Sequence, residues 1–287
     1  MILTALIDTE TLAQHLADPD WVVVDCRHDL MSPERGRAEH ARSHIPGARF
    51  LHMDEDLSAP KTGRNGRHPL PDPQVLVEKL GRAGVDARKQ VVAYDAQGGM
   101  MAARLWWLLR WLGHLPVAVL DGGWNQWLAE GRPQTADVPR LQPARFTGKA
   151  RNNWVGADLI RAQLKDEAMV LLDGRAPDRY RGQNETIDPV GGRIPGALNR
   201  FYRDNLDAAG RFKAADVLKE EFRSIFGAID PGKIVNYCGS GVSACHNLLA
   251  MEVAGLHRAR LYPGSWSEWI ADPSRPVASG EPQPGER

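Results

Sequence analysis

The chain has 287 residues, enough for two ordinary domains, and its 43% hydrophobic and 25% charged content is that of a globular protein. Thirty-six Lys and Arg balance 36 Asp and Glu, so no net charge draws it to nucleic acid or to an anionic membrane. No apolar run reaches membrane-spanning length, the N-terminus lacks the features of a secretion signal, and Cys26, Cys238 and Cys245 form no disulfide framework. The expected compartment is a reducing cytoplasm with free thiols.

Taken in chain order, residues 21–24 read as a short buried strand that runs into Asp25-Cys26-Arg27. His44-Ile45-Pro46-Gly47-Ala48 then marks a turn, and residues 57–68, punctuated by Gly, Pro and Asn, read as a loop. A strand over 91–94 ends at Asp95, a helix over 102–112 stops at Gly113, and a strand over 117–120 leads to Gly122-Gly123-Trp124-Asn125-Gln126-Trp127. Residues 133–153, with Pro139 and Pro143, are the natural linker. The same order then returns. A strand over 169–172 meets Asp173-Gly174-Arg175, and Arg193-Ile194-Pro195-Gly196-Ala197 follows. A strand over 234–237 ends at Cys238, a helix over 244–254 stops at Gly255, and a strand over 260–262 leads to Gly264-Ser265-Trp266-Ser267-Glu268-Trp269.

Four blocks recurring in one order make the chain a duplication. The expected boundaries are a first domain at 1–138, a linker at 139–153 and a second domain at 154–287, with an irregular tail after Ala271. Strands alternating with helices predict an α/β fold in which each copy is a parallel sheet flanked by helices. The first copy is six residues longer between its Ile-Pro-Gly block and its third strand, and part of that excess falls in the 57–68 loop.

Chemistry concentrates after the strand at 234–237. Cys238 stands at the carboxyl end of a parallel strand, where open α/β sheets bind ligands. Gly239 and Gly241 permit a tight loop whose amides turn inward, and a helix starting near Ser243 adds the positive end of its dipole. Such a cradle would stabilise a thiolate, and equally a persulfide, without a metal or a cofactor. Cysteine also serves as a small buried apolar residue, but the first copy has Asp95 at the same point, so the scaffold does not require a thiol there.

The Ile-Pro-Gly-Ala block, the strand-ending cysteine and the Gly-x-Trp-x-x-Trp block resemble tandem-domain rhodanese-type sulfurtransferases over nearly the whole chain. In that family only the second copy carries the cysteine. Thiosulfate-specific members place Arg and Lys after it, whereas mercaptopyruvate-specific members have Cys-Gly-Ser-Gly-Val-Thr. Cys238-Gly239-Ser240-Gly241-Val242-Ser243 looks like the second type with Ser for the final Thr. The resemblance implies that Gly239, Gly241, Val242 and Ser243 shape the donor site. It also implies that Arg179 faces the cysteine and holds the donor carboxylate. Some mercaptopyruvate enzymes have a second arginine nine residues on; here that position is Asp188, a departure from a two-arginine clamp. Ser240, His68 in His68-Pro69-Leu70-Pro71, and Asp54 match the family's Ser–His–Asp constellation, with histidine moving a proton and aspartate fixing its tautomer. Cys245 and Cys26 read as structural thiols, and Asp25 and Asp173 as turn-fixing carboxylates.

The expected function is sulfur transfer from 3-mercaptopyruvate, a small-molecule donor, through a Cys238 persulfide. The acceptor would be a thiol, cyanide or a thioredoxin-like protein. The alternatives left open are a thiosulfate:cyanide sulfurtransferase and a noncatalytic sulfur carrier. A phosphatase of related fold would want a longer loop with a terminal arginine, which Cys238 to Ser243 lacks.

Overall fold

The computed structural model describes residues 2–139, 142–164 and 169–282. It divides into two compact units: Met1–Pro60 with Pro71–Asn152 and Ala208–Phe212, and Lys61–Leu70 with Asn153–Asp207 and Lys213–Arg287. Residues 61–70, which take in the last eight positions of the predicted loop, therefore group with the second copy rather than the first.

In the first unit, β1 (Leu6–Ile7), β2 (Trp21–Asp25), β3 (Arg49–Phe50), β4 (Gln90–Tyr94) and β5 (Val117–Leu120) form a sheet in the order β1-β5-β4-β2-β3. Every pairing is parallel. The central strands are apolar along their length because both faces are covered, by helices α1 (Thr9–Gln14), α2 (Arg35–Arg42), α3 (Pro73–Arg82), α4 (Ala102–Trp111) and α5 (Gly123–Ala129). Local chemistry sets the helix ends. Asp72 accepts from the Gln74 and Val75 amides at the start of α3, with Pro73 in the first turn. Gly113, at φ +88°, lets the His114 amide return to the Leu109 carbonyl at 2.9 Å and closes α4.

The second unit repeats the plan with four parallel strands, β6 (Val170–Asp173), β7 (Leu198–Asn199), β8 (Ile234–Tyr237) and β9 (Arg260–Leu261), in the order β7-β6-β8-β9. A single parallel bridge, Trp154 to Leu261, stands where the first copy has β1 beside β5. Its helices are α6 (Ala157–Ala162), α7 (Pro177–Tyr180), α8 (Ala215–Phe226), α9 (Ser243–Val253) and α10 (Ser265–Trp269). On α8 the buried residues Leu218, Phe222 and Phe226 recur every four positions, the stripe that a core-facing helix requires.

The four repeated blocks meet in one buried polar node in each unit. Asp25 holds the Arg27 guanidinium at 2.6 Å and accepts the Tyr94 hydroxyl at 2.9 Å, while Tyr94 in turn accepts the Ile45 amide at 3.3 Å. Arg27 lies over the Trp124 ring at 4.7 Å. In the second unit Asp173 holds Arg175 at 2.7 Å, the Ile194 amide donates to Tyr237 at 3.3 Å, and Arg175 lies over Trp266 at 4.7 Å. A buried charge persists only when paired and hydrogen-bonded, so Asp, Arg, Tyr and Trp must be kept as a set. This is why the blocks recur, and why Asp25 and Asp173 are structural. The tyrosine of each node ends the central strand and fixes the point from which the next loop springs.

The tail is irregular over its described part but tethered. Arg193 and Ala278 exchange backbone hydrogen bonds at 2.8 and 3.0 Å, and the Trp269 indole donates to the Pro276 carbonyl. Thr135 with His44, and Pro133 with Trp127, do the same in the first unit. The rest of the tail, 283–287, and linker positions 140–141 lie outside the described residues. Among the described residues no helix is long and apolar enough to cross a membrane.

Candidate active site

Cys238 follows β8 directly and is 2% exposed. The loop folds back on it: Gly241, at φ +80° and packed against the Pro263 carbonyl, aims its amide at Cys238 Sγ from 3.1 Å. A side chain at 241 would meet both the left-handed backbone and that carbonyl, so glycine is required there. Val242 is buried and precedes α9, whose first residue is Ser243, so the helix N-terminus lies at the loop's end. Cys245, one turn into α9, is fully buried with its thiol 3.2 Å from the Gly241 carbonyl, which agrees with a structural thiol. Cys26 is likewise buried, and burial pushes its thiol well above the usual range.

The backbone on the other side of the loop is held by α10. The Trp266 and Ser267 amides donate to the carbonyls of Cys238 and Gly239, each at 2.9 Å. Ser265 accepts the Cys238 amide on Oγ at 3.1 Å and donates to the Tyr262 carbonyl at 2.9 Å. It does so at φ +54°, a left-handed conformation that costs a non-glycine residue about 1 kcal/mol. The equivalent residue of the first unit is Gly123, at φ +57°. Ser265 belongs to no motif that marks it as a site residue; its one signal in the sequence is a serine standing where the other copy has glycine.

Residues 61–70 supply the other wall. Gly66, at φ +84°, packs on the Gly264 backbone, and the Arg67 amide donates to Ser267 Oγ at 3.0 Å. His68 is 3% exposed and its Nδ1 lies 2.8 Å from Ser240 Oγ, so two of the three proposed proton-relay residues meet. Asp54 is in the first unit, in the turn after β3. Its carboxylate lies 3.7 Å from His28, and its amide donates to the His52 ring at 3.2 Å. His28, His52 and Asp54 bring donor atoms within 4.8 Å of one another, but His52 Nδ1 already accepts the Asp54 and Glu55 amides, and its Nε2 faces the Pro33 carbonyl at 3.2 Å. His52 Nε2 also lies 3.6 Å from the Glu34 carboxylate, so both ring nitrogens already have protein partners.

Arg179 is near the loop, but it is not a lone cation. Its guanidinium donates to Glu185 at 2.9–3.1 Å and to Asp188 at 3.1 Å. Asp188 is also paired with Arg67, so one carboxylate bridges two guanidinium groups. A Cβ built on Gly239 would come within 2.6 Å of an Arg67 nitrogen and 3.6 Å of an Arg179 nitrogen. Both arginines therefore overhang the loop, and Gly239 is glycine because Arg67 fills the space a side chain would need. Arg67 was not singled out in the sequence, where it is one of three arginines between residues 64 and 82 with no motif of its own.

A parallel strand thus feeds a buried cysteine into an amide-lined loop at a helix N-terminus, beneath two guanidinium groups that are themselves paired with carboxylates. A rhodanese-like domain model matches residues 8–130 and again 156–272. The chain is 46% identical over 279 residues to a protein of Pseudomonas aeruginosa named as a probable 3-mercaptopyruvate sulfurtransferase, covering 96% of this chain and 98% of that one. It is 32% identical to the thiosulfate sulfurtransferase of Mus musculus, covering 98% and 97%. Among solved structures, the 3-mercaptopyruvate sulfurtransferase from Leishmania major superposes with a TM-score of 0.82 at 29% identity, over 93% of this chain and 74% of that one. The chain belongs to the rhodanese-like family, as a tandem pair of its domains.

Proposed function

We propose that this protein is a sulfurtransferase that takes sulfur from 3-mercaptopyruvate, carries it as a persulfide on Cys238 and passes it to a thiol, cyanide or a thioredoxin-like protein. The observation that carries the reading is the Gly241 amide aimed at Cys238 Sγ from 3.1 Å inside a loop with no cation of its own. The Cys238 thiolate attacks the sulfur of mercaptopyruvate, and a sulfur–sulfur bond forms as the carbon–sulfur bond breaks. The electron pair leaves on carbon as the enolate of pyruvate. The donor's thiol proton passes through Ser240 and His68 to that carbon and releases pyruvate. An acceptor thiolate then attacks the outer sulfur and returns Cys238 as a thiolate.

The loop Gly239, Gly241, Val242 and Ser243 shapes the donor site, and Arg179 orients the carboxylate. Asp54 enters the proposal through its motif, as the carboxylate that fixes the histidine tautomer. Three free thiols and no disulfide suit a reducing cytoplasm.

The relatives include both mercaptopyruvate and thiosulfate enzymes by name, so the donor is the point to test. Donor is added without acceptor and the intact protein is weighed. A mass gain of one sulfur with mercaptopyruvate, absent in Cys238→Ser, is expected. A faster first turnover with thiosulfate would replace the donor, and no gain with either would remove the function.

A further inference from the structure

We infer that Ser267 is a positioning residue: from the start of α10 it holds both partners of the His68–Ser240 pair, one through its amide and the other through its hydroxyl. Its role in the reaction rests on the proposed transfer from Cys238; the bridge itself rests on geometry alone.

His68 and Ser240 stand 172 positions apart in the chain, so their 2.8 Å contact depends on what fixes one segment against the other. Ser267 reaches both. Its amide donates to the Gly239 carbonyl at 2.9 Å, directly before Ser240. Its Oγ accepts the Arg67 amide at 3.0 Å, directly before His68. The same hydroxyl donates its proton to the Gly264 carbonyl at 3.3 Å, which leaves its oxygen as the acceptor for Arg67. A short bridge therefore runs from Ser240 through Gly239, Ser267 and Arg67 to His68. Gly66 permits the close approach. At φ +84°, a Cβ there would come within 2.7 Å of the Gly264 oxygen and 3.2 Å of Ser267 Oγ.

The first copy shows that the scaffold alone does not call for this bridge. There Asn125 stands at the position of Ser267, exposed, and its side-chain amide donates to the Ala96 carbonyl at 3.1 Å. Ala96 follows Asp95 as Gly239 follows Cys238. The first copy thus spends the side chain on its own loop. The second uses the backbone amide for that purpose and turns the hydroxyl to a distant segment, the one that carries His68.

Only one half of the reaction needs that placement. In the loading half, the proton lost by the mercaptopyruvate sulfur is the one gained by the pyruvate carbon, and Ser240 and His68 carry it. In the discharge half, cyanide bonds to the outer sulfur. The sulfur–sulfur bond breaks, its electron pair returns to Cys238 as the thiolate, and thiocyanate leaves with no proton moved. Loosening the bridge should slow loading and spare discharge, whereas a collapsed cysteine loop would slow both.

The test times the two halves separately in the full chain, as wild type, S267A, S267T and G66A. Loading from mercaptopyruvate is followed by intact mass without acceptor, and discharge by thiocyanate release when cyanide meets fully loaded protein. S267A and G66A should load at least about tenfold more slowly, part of what a positioned proton transfer supplies, with discharge changed less than about twofold. S267T keeps the hydroxyl and should load within about threefold of the wild type. Diethyl pyrocarbonate reads the bridge without turnover. His68 should be acylated several-fold faster in S267A and G66A, while His246, fully buried in α9, stays as it was. Wild-type loading in S267A, equal slowing of both halves, or unchanged acylation of His68 overturns the inference. S267T as slow as S267A would do the same, by assigning the effect to packing. If S267A does not fold, G66A decides by the same readings. A wild type that takes up no sulfur from mercaptopyruvate would remove the transfer from this donor; faster acylation of His68 in S267A would still leave the bridge standing.

Discussion

The two copies build the same loop around two different groups, and the contrast shows what the loop is for. In the first unit the strand ends at Asp95, whose carboxylate accepts four backbone amides: Gln97 at 2.7 Å, Gly99 at 2.9 Å, Met101 at 2.7 Å and Ala102 at 2.9 Å. In the second unit it ends at Cys238, which receives the Gly241 amide at 3.1 Å. The first loop is two residues longer before its helix starts. It is an amide cradle that carries its own acceptor. The carboxylate oxygens sit one bond beyond Cγ, as the outer sulfur of a persulfide would sit one bond beyond Sγ. Asp95 therefore occupies permanently the kind of place that sulfur is proposed to occupy in passing.

The sharpest way to break this comparison is Cys238→Asp, which converts the second loop to the first. Transfer from either donor should fall by at least about 1,000-fold, since the proposed nucleophile is gone. The melting temperature should hold within a few degrees, because the cradle gains an acceptor instead of losing one. A variant that is inactive and also unfolded would show that the two loops are not equivalent cradles. Next in size is Asp95→Ala, which leaves four buried amides with no acceptor. Urea unfolding should show a loss of about 3 kcal/mol, several times that of an ordinary surface substitution. A loss below 1 kcal/mol would mean that the carboxylate is not what holds the first loop.

Ser265 and Gly123 sharpen the comparison on the other side of the loop. Both are left-handed, but only Ser265 adds a hydroxyl that takes the Cys238 amide. Ser265→Ala keeps the backbone strain and loses the hydrogen bonds, while Ser265→Gly loses the bonds and relieves the strain. The glycine variant should be the more stable of the two by about 1 kcal/mol. Both should lose transfer rate to a similar extent if the hydroxyl acts by positioning Cys238. Equal stability with unequal rates would assign the residue to packing.

Much of this contrast is legible in the sequence. Buried parallel strands show as short apolar runs, helix ends show as glycines, and the duplication marks Cys238 as a choice by setting Asp95 against it. His68 and Ser240, 172 residues apart, are paired by motif and meet at 2.8 Å. What could not be read is what depends on side-chain direction. Arg67 lies in a polar loop whose composition says only that it is a loop, and its place over Gly239 depends on Gly66 and Ser267 docking far along the chain. Arg179 reads as a free clamp because the sequence does not say that Glu185 and Asp188 fold back onto it. Asp188 reads as a missing cation, and the sequence does not say that the Arg67 guanidinium pairs with it from another segment.

The smallest expected effect is a change of slope with pH, and it tests the balance inside the first cradle. Complete burial pushes the Asp95 carboxyl above its usual range of about 3.8, while the four amides pull it down. Burial is the larger influence, so the folded state favours the neutral acid more than the unfolded state does. The stability from that preference is fully present below the unfolded value and is lost as pH rises through the folded one. Asp95→Asn has no such titration. The wild type should therefore lose stability relative to Asp95→Asn as pH is raised from about 3.5 towards neutrality, read as the difference between their urea midpoints. The opposite slope would mean that the four amides outweigh burial. The first loop would then hold a true anion, the condition the second is proposed to reach only when Cys238 carries sulfur.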